Sequence, residues 1–330
     1  MTSAAGPGLV DIQVNGYAQV DFNADPARLD LSAIRQACRK MRSRGVARFL
    51  PTFTTDALPN VLERLRRFAQ FRRQDELLEA MAPGFHVEGI FISPQDGPRG
   101  AHPLEHCRTP AQLPGLLDQL QEACGGLLKM FSLAPELPGA LEVIAAGARQ
   151  RVVMALAHHA ATPDIIAQAV SAGARLCTHL GNGAHATLPR SDNYIQHQLA
   201  NDRLWASFIA DGHHIVFPAL KNFLRAKQLP RCVLASDAMA AADAPPGRYA
   251  LGRTHVDVGP SGRVSLAGTP YLAGSSLTLD KALLNVARYC DVTFAQAWEM
   301  ASTQPAKLLD LKNLPTVKVT VTEGGFSLQE

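Results

Sequence analysis

The stretch Val152-Val153-Met154-Ala155-Leu156-Ala157-His158-His159 leads through Thr162-Pro163-Asp164 to Leu176-Cys177-Thr178-His179-Leu180-Gly181-Asn182-Gly183. Between the two apolar runs, residues 162–172 open on a threonine cap with proline in the first turn and stop before Gly173, which predicts a helix. Run, helix and run read as one βαβ unit, the building block of a parallel sheet. Both runs end in a histidine followed by polar residues, at the end of the strand where a parallel barrel carries its active site.

The same unit recurs along the chain. Short β-rich runs fall at 10–15, 48–53, 84–89, 127–133, 152–158, 176–180, 206–210 and 232–236, with helix-like segments between them. In Leu62-Glu63-Arg64-Leu65-Arg66-Arg67-Phe68, for example, apolar residues recur at i, i+3 and i+6. Eight alternating units over roughly 230 residues suit an α/β fold of the (β/α)8 barrel type better than an open sheet. The tail differs. Residues 249–274 are rich in Gly, Val, Thr and Pro and predict hairpins; 276–287 and 294–309 predict helices; 317–321 alternate like an edge strand. The expected organisation is a barrel of residues 8–245 plus 275–311 carrying a small β appendage of 246–274 plus 312–330.

Composition sets the bounds. The 330 residues are 47% hydrophobic and 18% charged, which excludes disordered and fibrous classes. Lys plus Arg is 32 and Asp plus Glu is 29, a net +3 that leaves no nucleic-acid footprint. No apolar run approaches the ~18 residues of a membrane span, and the first residues lack the pattern of a secretory signal. Six scattered cysteines without a CxxC pair read as reduced thiols of a cytoplasmic protein.

The chemistry sits at the run ends: Glu88 in His86-Val87-Glu88-Gly89, His158, His179, Asp211-Gly212-His213-His214, and Asp237 in Ser236-Asp237-Ala238. Five polar ends converging on one barrel mouth would be costly to desolvate unless they held something, and a metal is the economical account. Two imidazoles, a carboxylate and a water make an open catalytic site for a zinc-type ion; Glu88, His158 and His179 are the natural set. Asp237 is placed beside it as proton acceptor without having to be a ligand. By strand parity His159 and His213 face away from His158 and His214. His86 shares the face of Glu88 and supports it or the substrate. His106, His197 and His255 read as surface residues. Lys129 invites comparison with metal-bridging carboxylated lysines but lies at the wrong end of its run.

Further segments extend the pattern in order: Gly8-Leu9-Val10-Asp11-Ile12-Gln13-Val14-Asn15-Gly16, Leu50-Pro51-Thr52, Leu133-Ala134-Pro135-Glu136 and Leu272-Ala273-Gly274-Ser275-Ser276-Leu277-Thr278. Together, from about residue 8 to 311, they resemble the amidohydrolase superfamily and within it the N-acetylglucosamine-6-phosphate deacetylase family. The resemblance implies Glu88, His158 and His179 as metal ligands, Asp237 as catalytic acid/base, and His214 as the group polarising the acetyl carbonyl. It aligns Ala101, His102, Asn182, Gly183, Asp211, His214, Leu272, Ala273 and Gly274 with substrate-contacting positions. Arg190 has the spacing of the family's phosphate-binding arginine, and its fork suits phosphate oxygens. A homodimer is implied, the partner subunit contributing to phosphate binding.

Three departures qualify the resemblance. Gln13-Val14-Asn15 stands where many superfamily members carry His-x-His, so one divalent ion is expected: Zn²⁺ first, with Fe²⁺, Co²⁺ or Mn²⁺ as alternatives. Gly181-Asn182-Gly183-Ala184-His185 and Ala157-His158 replace the usual Tyr-Asn-Ala-Met stretch and Gly-His pair, which opens the identity of the sugar. With a first strand near residue 9, the appendage is expected to be an N-terminally truncated β-sandwich. The implied reaction is metal-assisted hydrolysis of an N-acetyl amino sugar phosphate. The rivals are another N-acyl or cyclic amide substrate, or a silent sugar-phosphate binding barrel.

Overall fold

The computed structural model describes residues 2–269 and 271–329. Eight parallel strands, β1 (Leu9–Val14), β2 (Val46–Thr54), β3 (Phe85–Glu88), β4 (Leu128–Leu133), β5 (Val153–Leu156), β6 (Leu176–Cys177), β7 (Trp205–Phe208) and β8 (Cys232–Leu234), pair in chain order. They are buried on both faces, which is why they read as continuous apolar runs. Val10, Ile12, Leu50, Met130, Val153, Ala155, Leu176 and Val233 form the inner core, which Ala306, Leu308 and Leu309 join from the C-terminal helices. Outside, aromatic pairs bond the helix layer to the strands: Phe68 meets Phe22 at 5.3 Å and Phe53 at 5.1 Å, both edge-on.

Between β1 and β8 the ladder gives way to point contacts. Val14 bridges Ala238, Asn15 N–H donates to Ala238 O at 2.7 Å, and Ser236 N–H donates to Asp11 Oδ1 at 3.1 Å. The barrel is thus nearly closed, and the seam is tightest at the mouth.

The helices sit where periodicity places them. Thr162 caps Pro163–Ala172 with its side chain on Ile165 N–H, and Gly173 ends it. The helix expected over 294–309 is instead two, Phe294–Ala301 and Thr303–Leu308. Ser302 breaks it because its Oγ lies against two acceptors, Pro7 O (2.9 Å) and Gly8 O (2.8 Å), which tie the break to the start of β1.

The two β segments of the tail belong to different sheets. Gly247–Leu251, Thr254–Val258 and Val264–Leu266 form a three-stranded sheet with its own apolar cluster against Met239, Ala240, Ala241 and Ala273. Thr2–Pro7, Thr316–Thr322 and Gly325–Leu328 form the other. The first strand therefore lies ahead of residue 9, and Thr316–Thr322 is the central strand of its sheet rather than an edge. Val319 and Phe326 bury this terminal sheet in the main core.

Buried Asp280 pins the terminal sheet to the barrel, accepting from Phe326 N–H at 2.7 Å and Arg44 Nη1 at 3.3 Å; Arg44 also pairs with Asp243. Asp280→Ala strands the Phe326 N–H and takes one of its two carboxylate partners from Arg44, and should cost about 3 kcal/mol, read as a lower urea midpoint with an unchanged slope.

Candidate active site

At the C-terminal ends of the strands a cavity of about 480 Å³ is lined by Asn15, Glu88, His102, His158, His179, Asn182, Gly183, His214 and Asp237, and by Leu272, Ala273 and Gly274. Glu88 ends β3. His158 and His179 each lie two residues beyond their strands, and Asp237 three beyond β8. All three have left-handed backbones, with φ of +51°, +33° and +48°. For non-glycine residues this costs about 1–3 kcal/mol each, strain that collects at functional sites. It also turns the side chains off strand parity. His159 points away as expected, but through this turn: it is buried, its Nδ1 accepts from Ala161 N–H at 3.2 Å, and its ring lies 5.3 Å from Tyr194.

Glu88 Oε1 meets His179 Nε2 at 2.8 Å and lies 3.6 Å from His158 Nε2, while Oε2 accepts from Gln13 Nε2 at 3.0 Å. Burial opposes ionisation of Glu88, but His179 and His158 outweigh it and hold the carboxyl well below the ordinary range. Burial likewise disfavours a charged His179, yet the charge of Glu88 and its hydrogen bond raise the ring's pKa. His102 belongs to the same cluster: ligand atoms of Glu88, His102 and His158 lie within 4.8 Å of one another. Its Nδ1 is 2.8 Å from Thr55 Oγ1, and its pKa falls to about 3, first through burial and then through His158.

The donor set fits a divalent cation. His158 Nδ1 faces Pro98 O at 2.8 Å and must donate there, which turns Nε2 toward the Glu88 carboxylate. The 3.6 Å from His158 Nε2 to Glu88 Oε1 is close to the spacing of donors at a tetrahedral ion, where bonds of about 2.1 Å set them roughly 3.4 Å apart. His179 Nδ1 is buried and has no hydrogen-bond partner among the described residues.

Asp237 Oδ1 accepts from Asn15 Nδ2 at 2.7 Å. Burial, then the charge of Glu88, raises its carboxyl to about 6. His214 Nδ1 lies 2.7 Å from Asp211 Oδ2, and the other Asp211 oxygen accepts the backbone N–H groups of His213 and His214 at 2.8 Å. Asp211 thus orients His214 from behind the wall, while His213 Nε2 turns to Ser261 O at 3.0 Å. Beneath Glu88, His86 lies between Thr52 Oγ1 (3.2 Å) and Ser132 Oγ (2.8 Å), its pKa lowered to about 4 by burial.

Ala101 and His102 reach the wall as expected. Arg190 does not: it is exposed and outside the cavity lining of its own chain. His106, read as a surface residue, is half-buried and on the wall. Lys129 stays at the far end of β4. Sequence reading treated Gln13 and Asn15 only as missing imidazoles, whereas they are the donors to Glu88 and Asp237. It also missed Asp56, Arg64 and Arg253 on the wall; Thr54-Thr55-Asp56 at a strand end was the available signal.

A (β/α)8 barrel whose mouth gathers imidazoles and one carboxylate beside a second, buried carboxylate defines the class of metal-dependent barrel hydrolases. No protein-family model matches the chain. It is 35% identical over 332 residues to the N-acetylgalactosamine-6-phosphate deacetylase of Escherichia coli O157:H7, covering 98% of this chain and 85% of that protein. It is 32% identical over 318 residues to the N-acetylglucosamine-6-phosphate deacetylase of Danio rerio, covering 93% and 76%. A mutant N-acetyl-D-glucosamine-6-phosphate deacetylase of Mycobacterium smegmatis, solved with N-acetyl-D-glucosamine-6-phosphate, superposes with a TM-score of 0.89 at 26% identity, covering 100% of this chain and 86% of that one. The chain belongs to the N-acetylglucosamine-6-phosphate deacetylase family.

Gly183 clamps the site: its φ is +56°, and a Cβ there would lie 2.6 Å from His158 Nδ1. Gly183→Ala should push the ring off Pro98 O and lower metal affinity about 10- to 100-fold, measured as metal retained after dialysis. Gly115→Ala, also at positive φ but with nothing within 4 Å, is the control and should retain its metal.

Proposed function

We propose that the chain hydrolyses the N-acetyl group of an amino sugar phosphate, converting N-acetylglucosamine 6-phosphate to glucosamine 6-phosphate and acetate. We propose one cation per subunit, zinc in the first place, held by Glu88, His158 and His179, in a cytoplasmic homodimer. The observation that carries the reading is the buried Asp237 carboxylate sharing one cavity with that donor set. A cation, when bound, supplies Lewis acidity to a water and to the amide carbonyl.

The remaining work falls to side chains. Asp237 takes the proton of the attacking water and returns it to the departing nitrogen. Asn15 holds one of its oxygens at 2.7 Å and leaves the other for that proton. Asp211 takes His214 Nδ1–H and so holds the ring with Nε2 toward the acetyl oxygen. His102, Asn182, Gly183 and the 272–274 segment bind the sugar. The N-acetylgalactosamine-6-phosphate relative favours the C4 epimer as a second reading.

Acetate release from both N-acetylhexosamines, each with and without 6-phosphate, and from a neutral N-acyl amide tests this. The phosphorylated sugars should be turned over and chelation should abolish the signal. Release from the neutral amide alone supports the wider amidohydrolase reading, and release from none a silent binding barrel. Asp237→Asn should keep metal and ligand and lose about 10²- to 10⁴-fold in kcat; near-normal turnover removes Asp237 from this role.

Because Asp237 must be ionised to accept a proton, kcat should fall as pH drops through about 6 in the absence of other charge. A bound cation opposes the burial effect and moves that limb lower. A pH profile with no acid limb in wild type, or an unchanged limb in Asp237→Glu, contradicts the assignment.

A further inference from the structure

The cavity wall also carries a cluster that the reaction above does not use. Asp56, one residue beyond Thr55 and so beside His102, is surrounded by cations. Its Oδ2 accepts from Arg64 Nη2 at 2.7 Å and from Asn60 Nδ2 at 3.2 Å, and its Oδ1 accepts from Ala57 N–H at 2.7 Å. Arg253 Nε and His106 Nε2 also face Oδ1, at 3.6 and 3.7 Å, beyond hydrogen-bond reach. Arg64 is buried and satisfies Asp56, so Arg253 and His106 keep their donors uncommitted: neither side chain has a hydrogen-bonded acceptor among the described residues. Glu105 is the only other carboxylate on this part of the wall; it is exposed and forms no ion pair among the described residues.

The backbone of Arg253 is nonetheless fixed in place. It occupies the two-residue turn between Gly247–Leu251 and Thr254–Val258, where Leu251 pairs with Thr254. Gly252 supplies the positive φ of +58° that such a turn needs, and its N–H donates to Asp21 Oδ2 at 2.8 Å, docking the turn on the barrel. The Arg253 side chain is 71% exposed, on the cavity wall. An accessible guanidinium fork on a docked turn, beside an imidazole and a carboxylate already hydrogen-bonded by another arginine, suits a phosphate dianion.

We infer that Arg253, assisted by His106 and anchored by the Asp56–Arg64 pair, binds the substrate's phosphate within its own chain, whereas Arg190 can meet a phosphate only from a second copy. The identity of the anion rests on the deacetylase reading.

The test compares wild type, Arg253→Ala, Arg253→Lys and Arg190→Ala in two measurements. The first is the ratio of kcat/KM for N-acetylglucosamine 6-phosphate to that for N-acetylglucosamine. Arg253→Ala should lower it 10- to 100-fold, chiefly through KM, with Arg253→Lys recovering part because it keeps the charge and loses the fork. The second is calorimetric titration with inorganic phosphate, which Arg253→Ala should weaken at least tenfold. A ratio within twofold of wild type for Arg253→Ala, or a ratio that collapses for Arg190→Ala alone, overturns the inference. If wild type releases acetate from neither sugar, the deacetylase reading fails and the phosphate titration decides: equal or undetectable binding in wild type and Arg253→Ala overturns the site, and a tenfold difference sustains it.

Discussion

A carboxylate buried at the end of a barrel strand has to be surrounded by donors or cations, because its desolvation costs several kcal/mol that nothing apolar can return. Glu88 is that group here. Gln13 reaches it from β1, His179 from the end of β6, and His158 faces it from the end of β5. Three remote segments are therefore committed to one point. His86, hydrogen-bonded below it and neutral through burial, keeps further positive charge out of the core.

The same point explains how the barrel closes. Strands β1 and β8 share little ladder, and their join runs through Asn15, Ala238, Asp11 and Ser236. Asn15 both closes the seam through its backbone and holds Asp237 through its side chain. The residue that completes the fold at the mouth thus also positions the Asp237 carboxylate. The small sheet packs on Met239, Ala240 and Ala241, immediately after Asp237, and on Ala101, beside His102. The appendage accordingly forms part of the cavity wall and supports two of its functional loops.

Much of this was legible in residue order. Eight apolar runs matched eight strands because strands covered on both faces are apolar over most of their length, and the polar residues that end them mark the mouth. Glu88, His158, His179, Asp237 and His214 could be found that way. The single helix expected over 294–309 failed because Ser302 answers to acceptors almost 300 residues away, a contact that periodicity does not register. Thr2–Pro7 escaped notice because Thr2-Ser3-Ala4-Ala5-Gly6-Pro7 has little strand propensity; its pairing with Thr316–Thr322 makes it a strand.

Linear order, then, carried the barrel, its polarity and the side chains that could hold a cation, since each follows from local patterning and from where an apolar run stops. It could not carry the left-handed turns that aim His158, His179 and Asp237, the meeting of His102 with Glu88, or the arrival of Arg253 beside Asp56. Those depend on which remote backbones lie within a few ångströms of each other, and distances of that kind exist only once the chain has closed on itself.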